Sequence, residues 1–241
     1  MQQHTDWLQR TKLLLDNTQM QKLQNAHVLV VGLGGVGGYA AEQLVRAGIG
    51  NMTVVDGDTV NESNLNRQVV ALHSTIGQEK ATVLGQRLKD INPRLNLSIL
   101  NEFLRDERAE EVLETNFDYV VDAIDTLAPK IFLIYHTMQR GYPLVSSMGS
   151  GGKFDPLQIK IDDFSNTFNC KLAYVLRKKL RKLDVAGGFK AVFSTEQIDK
   201  TLVVETDEQN KKSIVGTISY MPPLFGCAIA SVVIRDIAGI S

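Results

Sequence analysis

Cysteine is scarce in this chain, whose 241 residues include only Cys170 and Cys227. Two isolated cysteines provide neither a disulfide framework nor a Cys-x-x-Cys zinc site, and they favour a reducing compartment. We therefore expect a cytoplasmic protein. We also expect both cysteines to be loop or core residues, and a catalytic role for Cys170 is disfavoured.

The chain also lacks a large net charge of either sign and an apolar run long enough to span a membrane. The formal net charge is -1, so a nucleic acid or membrane partner would need a local patch. The longest apolar stretch, 221–234, contains Pro222, Pro223 and Gly226, and it ends before Arg235. It is too short to span a bilayer, and we predict a buried terminal helix and no membrane span.

What the chain does contain is a regular alternation of short apolar runs and amphipathic segments. This alternation predicts a Rossmann-like α/β fold, with a mostly parallel sheet and helices on both faces. The predicted strands are 27–31, 52–55, 97–100, 119–121 and 144–146. The predicted helices are 36–47, 80–91, 107–115 and 129–140, with a short helix or loop at 63–68.

The alternation becomes less regular after Gly149-Ser150-Gly151-Gly152. Here the pattern predicts two shorter strands at 158–161 and 190–193 and two helices at 172–183 and 224–237. It also predicts exposed turns at 186–188 and 206–212. We expect residues 1–150 to form a nucleotide-binding core with an N-terminal arm. Residues 151–241 are expected to form a smaller α+β extension that packs on the same core as one continuous domain.

A glycine-rich loop, Gly32-x-Gly34-x-x-Gly37, follows the first strand and opens a helix. Glycines in this context allow a tight turn and let backbone N–H groups approach a phosphate at the helix N-terminus. Asp56, at the end of the second strand, is placed to accept hydrogen bonds from ribose hydroxyls. The loop alone does not identify the nucleotide.

Further polar residues follow the second and fourth strands, and they favour a triphosphate. A nicotinamide site needs one carboxylate and little positive charge, whereas a triphosphate needs several donors and usually a divalent metal. Asn64, Arg67 and Lys80 supply the donors, and Asp58 and Asp125 could share Mg²⁺. We therefore predict an ATP–Mg²⁺ site, with an NAD-dependent oxidoreductase as a rival from another class.

Taken together, these motifs resemble the ThiF-type family of ATP-dependent activating enzymes, over nearly the whole chain. Within that family the chain is most similar to the tRNA threonylcarbamoyladenosine dehydratases. The stretches that carry this closer resemblance are Trp7 to Leu15, Asp122-Ala123-Ile124-Asp125 with Lys130, Met148 to Pro156, and Val192 to Glu196.

The resemblance implies an activity and residue roles. The enzymes it points to adenylylate the threonyl carboxylate of a modified adenosine beside the tRNA anticodon and then close a ring. It implies that Gly35 lies against the phosphates, and that Arg10 reaches the partner subunit's site in a homodimer. The implied catalytic residues are Arg67, Lys80, Arg10 and Asp125. A sulfur-transfer partner protein is left open.

Two other functions stay open at this point. One is an adenylyltransferase that activates the C-terminal glycine of a small ubiquitin-like sulfur-carrier protein. The two Cys-x-x-Cys pairs that such enzymes often carry are absent from this chain, which argues mildly against it. The other is a non-catalytic nucleotide-sensing module, which a test for ATP turnover would separate.

A basic segment, 171–182, contains no acidic residue. As a helix it would present a strongly positive face that could bind tRNA phosphates, and such binding should be sensitive to salt. A solvated helix face is the alternative interpretation. The candidate tRNA-binding residues are Lys171, Arg177, Lys178, Lys179, Arg181 and Lys182.

Overall fold

The computed structural model of the chain describes residues 6–197, 203–205 and 213–240. The predicted turn at 206–212 lies outside them. The strands are β1 (His27–Val31), β2 (Asn51–Val55), β3 (Asn96–Leu100), β4 (Tyr119–Asp122), β5 (Leu144–Ser147), β6 (Ile159–Asp163), β7 (Lys190–Ser194), β8 (Val203–Glu205) and β9 (Ser213–Val215). The α-helices are α1 (Gln9–Lys12), α2 (Asn17–Asn25), α3 (Gly37–Ala47), α4 (Lys80–Ile91), α5 (Asp106–Val112), α6 (Leu127–Gln139), α7 (Lys171–Leu180) and α8 (Met221–Ala238).

Seven strands form one sheet in the order β3-β2-β1-β4-β5-β7-β6. Neighbouring strands are parallel except β6, which runs antiparallel to β7 at the edge. The chain moves outward from β1 in one direction and then returns to add β4 on the other side. Ligands of open α/β sheets bind at such a reversal, outside the carboxyl ends of the strands. The predicted fold class is confirmed.

Each face of the sheet is covered by amphipathic helices. On one face α3, α4 and α8 bury side chains such as Leu44, Leu84 and Phe225. On the other, α5, α6 and α7 bury Leu133 and Leu176. Strands buried from both sides explain why β1 and β2 have continuous apolar sequences rather than alternating ones.

The C-terminal residues contribute to the same sheet and core. Strands β6 and β7 extend the sheet beyond β5, and Met221, Phe225 and Ile229 of α8 lie in the core cluster that includes β1. A division at residue 150 stays a prediction. Helix α8 begins three residues before the predicted start, with prolines in its first turn, where the missing N–H groups cost no helical hydrogen bond.

By length and composition α8 would be apolar enough to cross a membrane, contrary to the expectation that it is too short. Half of that span is buried inside the protein, and Gly226 packs so closely that a Cβ there would lie 2.5 Å from the Val36 carbonyl oxygen of the glycine loop. We interpret α8 as a core helix.

Candidate functional site

The glycine loop connects β1 to α3 at the point where the strand order reverses. Gly32 has a φ of +86°, and a Cβ there would lie 2.8 Å from the Ala123 carbonyl carbon and oxygen. A Cβ at Gly37 would lie 1.8 Å from the Gly32 carbonyl oxygen. Both positions therefore require glycine for packing alone. A Cβ at Gly34 would lie 3.7 Å from the nearest described atom, the Gln68 amide nitrogen, which is ordinary van der Waals contact, so packing does not require glycine at this position.

Gly35 lies against protein atoms rather than only against a ligand space. A Cβ at this position would come within 2.9 Å of Pro222 Cβ and 3.4 Å of Arg67 Cγ. The contact of Gly35 with phosphates stays a prediction. The structure adds that a side chain there would push apart the glycine loop, the start of α8 and Arg67.

The Asp56 carboxylate connects the end of β2 to the glycine loop. Its two oxygens accept hydrogen bonds from the backbone N–H of Leu33 at 2.6 Å and of Asp58 at 2.8 Å. Burial raises the pKa of the Asp56 carboxyl above its usual value, although the Lys80 ammonium and these two N–H groups favour the charged form. The carboxylate is thus fixed in place beside the loop, as a ribose-binding group requires.

Lys80, the first residue of α4, directs a buried ammonium toward the same place. Its Nζ lies 2.9 Å from Asp58 Oδ2, and the side chain is 6% exposed whereas that of Asp58 is 53% exposed. The Lys80 backbone N–H also donates to the Asp58 carbonyl at 3.0 Å. The structure therefore brings Asp56, Asp58 and Lys80 together, and their binding of a nucleotide stays a prediction.

Asn64 and Arg67 lie on a segment that begins with a 3-10 helix, Glu62–Asn64. Asn64 is buried, and its Oδ1 accepts a hydrogen bond from the Asn61 N–H at 3.1 Å. Arg67 is half-buried, and its Nη1 donates to the Ser63 carbonyl at 2.9 Å and to Asn66 Oδ1 at 2.8 Å. The guanidinium is held in place before any ligand binds.

The charge environment of Arg67 has two opposing contributions. Burial lowers the pKa of the Arg67 guanidinium, and the Asp125 carboxylate acts in the opposite direction. Asp125 follows β4 and so reaches the same edge of the sheet as Asp58, which follows β2. An arginine remains charged at neutral pH in this setting and can form the bidentate contacts that phosphate favours.

Gln68 is a residue of this site to which the sequence analysis assigned no role; it ends the segment 63–68 that was predicted as a short helix or loop. Its side chain is 8% exposed and lies beside Gly34. Among the described residues its Oε1 has no hydrogen-bond partner. A buried amide without a partner is costly, so a polar group of a ligand on the glycine loop would stabilise it.

A buried ion pair holds the segment 122–125, which ends in Asp125. The sequence did not predict this pair. Lys130 Nζ lies 2.7 Å from Asp122 Oδ2, and both side chains are fully buried. Lys130 also donates to the Ile124 carbonyl at 3.0 Å, and Asp122 accepts from the Ile124 N–H at 3.1 Å and from Ser146 Oγ at 2.6 Å. These contacts fix the loop that packs on Gly32 and carries Asp125.

Metal ligation by the protein alone is not supported by the described residues, which contain no group of three or more His, Cys, Asp or Glu side chains suited to a metal. A Mg²⁺ ion that is bound together with a nucleotide needs fewer protein ligands. Phosphates and waters supply most of its ligands, and one or two carboxylates suffice. The exposed carboxylate of Asp58 fits this second kind of site.

The remaining predicted site residues lie on other elements. Arg10 is exposed on α1. On α7 and the 3-10 turn that follows it, Arg177 is half-buried and donates to Thr167 Oγ1, so it is the least available of the six basic residues. The others are exposed and define what we call the basic helix face, Lys171, Lys178, Lys179, Arg181 and Lys182.

The two cysteines differ from each other. Cys170 is buried at the start of α7, as expected of a small packing residue. Cys227 is exposed on α8, so the prediction that it belongs to the core is wrong. It lies on the side of α8 that faces away from the sheet, and an apolar sequence alone did not distinguish the two sides.

A glycine loop at the reversal of a doubly wound sheet, with fixed carboxylate and cationic side chains around it, defines a nucleotide-binding α/β protein. The chain belongs to the ThiF family, whose sequence profile matches residues 8–241. The predicted family is therefore confirmed.

Individual relatives add detail. The chain is 36% identical over 236 residues to a tRNA threonylcarbamoyladenosine dehydratase of Bacillus subtilis, covering 95% of this chain and 93% of the relative. The solved E. coli tRNA N6-threonylcarbamoyladenosine dehydratase in complex with ATP matches with a TM-score of 0.87 and 33% identity, over 98% of this chain and 96% of that one. A molybdopterin-synthase adenylyltransferase of Haemophilus influenzae is 35% identical over 132 residues, or 55% of this chain and 54% of the relative.

Proposed function

We propose that this protein is an ATP-dependent tRNA threonylcarbamoyladenosine dehydratase. The observation that carries the proposal is the cluster of Asp56, Asp58, Lys80 and Arg67 around the glycine loop, in a chain that matches the ATP-bound E. coli dehydratase along almost its whole length. The match to the adenylyltransferase covers about half of the chain, which makes activation of a carrier protein the weaker candidate.

The proposed reaction has two steps. A carboxylate oxygen of the threonyl group attacks the α-phosphorus of ATP, the bond to the bridging oxygen breaks, and pyrophosphate leaves. A nucleophilic atom of the same modified side chain then attacks the acyl carbon, the proton of the nucleophilic group is released, and AMP leaves as the ring closes. The second step is intramolecular and gains a high effective molarity, so it needs no cysteine nucleophile. The steps balance with ATP and tRNA alone, without a sulfur-transfer partner.

We assign the following roles to this chain's residues. Asp56 binds the ribose, and the backbone from Gly32 to Gly37 lies along the phosphates. Asn64, Arg67 and Lys80 bind the triphosphate and stabilise the charge that develops when pyrophosphate leaves. Asp58 and Asp125 are the residues that would hold Mg²⁺, which would supply further neutralisation of phosphate charge. Lys80 would then exchange part of its contact with Asp58 for a phosphate oxygen.

We also infer a homodimer in the cytoplasm, in which Arg10 of each subunit reaches the other subunit's ATP site. The support is that Arg10 is exposed on an N-terminal arm rather than held within its own subunit's site. The two free cysteines fit a reducing compartment. Two shared sites would follow from the twofold symmetry of such a dimer.

The reaction itself is the first test. The protein is mixed with ATP, Mg²⁺ and tRNA that carries N6-threonylcarbamoyladenosine, and we expect the nucleoside to lose the mass of one water while AMP and pyrophosphate are released. Unmodified tRNA and a small carrier protein ending in glycine serve as controls, and neither should stimulate AMP release. Absence of AMP above background with modified tRNA would contradict the proposal, and stimulation by the carrier protein instead would favour the alternative.

The basic helix face is expected to bind tRNA phosphates. Replacing Lys178, Lys179 and Arg181 with glutamate should weaken tRNA binding by about tenfold or more at low salt and reduce its salt dependence, while ATP affinity is unchanged. Filter binding across a salt series measures both.

The matched control replaces Lys22, Arg94 and Arg105, three exposed basic residues on other elements, and so makes the same change in net charge. If both triple variants weaken tRNA binding equally, a specific basic helix face is wrong and only overall charge matters.

A further inference from the structure

Two aromatic side chains are exposed beside the site although their rings are largely apolar. Phe154 is 53% exposed and Tyr220 is 42% exposed. The Tyr220 hydroxyl donates to the Phe154 carbonyl at 2.8 Å, which holds the two residues next to each other. We call Phe154 and Tyr220 the aromatic pair.

The segment just before Tyr220 connects the aromatic pair to the triphosphate residues. The Thr217 carbonyl accepts a hydrogen bond from Asn66 Nδ2 at 3.0 Å, and Asn66 also holds the Arg67 guanidinium. Two residues after Tyr220, Pro222 packs on Gly35. The aromatic pair therefore lies at the border of the proposed ATP site.

The other side of the aromatic pair leads to the basic helix face. Lys153, next to Phe154, is buried and donates to the Asn169 carbonyl at 3.4 Å, just before α7 begins. The Phe154 N–H donates to Glu196 Oε2 at 2.9 Å, which fixes this backbone. Exposed rings thus lie between an anion-binding site and a surface that is positive over several residues.

This arrangement fits one kind of ligand, an unstacked base of a nucleic acid, whose sugar-phosphate backbone is a polyanion. Proteins bind bases of RNA loops by stacking them on exposed aromatic rings while cationic side chains bind the flanking phosphates. Any adenylylation of a group carried on a base requires that base to leave its stack and to lie near the α-phosphate of ATP.

We propose that the aromatic pair binds the purine of the modified adenosine by stacking, and so directs its carboxylate toward the ATP phosphates. This inference rests on the proposed function and adds the recognition of the base to it. The charge of the basic helix face then holds the loop, while the aromatic pair selects the extruded base.

The test replaces each ring without removing its bulk. Phe154→Leu and Tyr220→Leu should each lower kcat/KM for modified tRNA by about tenfold, because one stacked ring contributes roughly that factor. Tyr220→Phe keeps the ring and should stay near the wild-type value. ATP affinity, measured by calorimetry, and thermal stability should be unchanged. Leu157→Ala, an exposed apolar residue on the adjoining turn, is the matched control.

Two results would overturn the inference separately from the proposed function. If the wild-type protein dehydrates modified tRNA and the two leucine variants do so equally well, the aromatic pair has no role in base binding. If Tyr220→Phe loses as much activity as Tyr220→Leu while Phe154→Leu keeps the wild-type value, the Tyr220 hydroxyl matters and stacking on the aromatic pair does not. A wild-type protein inactive on modified tRNA would instead contradict the proposed function.

Discussion

Replacing Lys130 with methionine is expected to lower the free energy of unfolding by about 3–5 kcal/mol. The reason is that the Asp122 carboxylate, 2.7 Å from the Lys130 ammonium and fully buried with it, would be left as an uncompensated charge. The Ile124 carbonyl would also lose a hydrogen bond. Urea denaturation of both proteins measures the difference, from the midpoint and slope of the transition.

Two controls separate the buried charge from loss of the lysine as such. Adding Asp122→Asn to Lys130→Met removes the charge. The amide oxygen can still accept from the Ile124 N–H, and the amide nitrogen can donate to Ser146 Oγ, so stability should partly return. Lys12→Met breaks an exposed pair with Asp6 and should cost far less. A loss in Lys130→Met no larger than that in Lys12→Met would show that the buried pair contributes little.

The buried contact between Asp122 and Lys130 could not be predicted from the sequence. Asp122 and Lys130 were both visible as motif residues, but their contact joins the end of β4 to the first turns of α6, and Ser146 joins it from β5. Helical periodicity predicts which positions face the core. It does not predict that a charged side chain is buried there, because that depends on a partner supplied by another element.

The bounds of helices and strands could be predicted where the apolar residues recur with the period of that element. Helix α4 has the predicted bounds, and the ends of six of the seven predicted strands differ from the observed ones by one residue at most. Helix α2 was missed because it contains few apolar residues, although Asp16 and Gln19 form a capping box at its start. The antiparallel direction of β6 is set by pairing with β7, which no local pattern specifies.

The candidate site divides in the same way. The glycine loop, Asp56 and Lys80 were predictable because strand ends in a parallel sheet meet at one edge. The contacts of Asn66 with Thr217 and of Gly35 with Pro222 join residues about 150 or more positions apart, and short-range spacing carries no information about them. The residues of the aromatic pair are 66 positions apart, so their contact was not predicted either.

Replacing Arg67 with alanine is expected to reduce the rate of adenylylation by about 10²–10³-fold while the fold is retained. Hydrogen bonds to Ser63 and Asn66 orient the guanidinium in advance, so its charge stabilises the leaving pyrophosphate without reorganisation. Arg67→Lys keeps the charge but not the planar pair of donors, and should recover only part of the rate. Single-turnover measurement of AMP formation gives the rate.

The surface residue Arg94, just before β3 at the amino-terminal ends of the strands, provides the control, and its alanine variant should keep the wild-type rate.

Arg10→Ala should be as slow as Arg67→Ala if Arg10 serves the other subunit's site. Equal mixing of the two slow variants should then restore about a quarter of the sites, because half of the dimers are mixed and each has one intact site. A mixture no faster than either variant would mean that Arg10 acts within its own subunit, and unchanged adenylylation in Arg67→Ala would remove Arg67 from the triphosphate site.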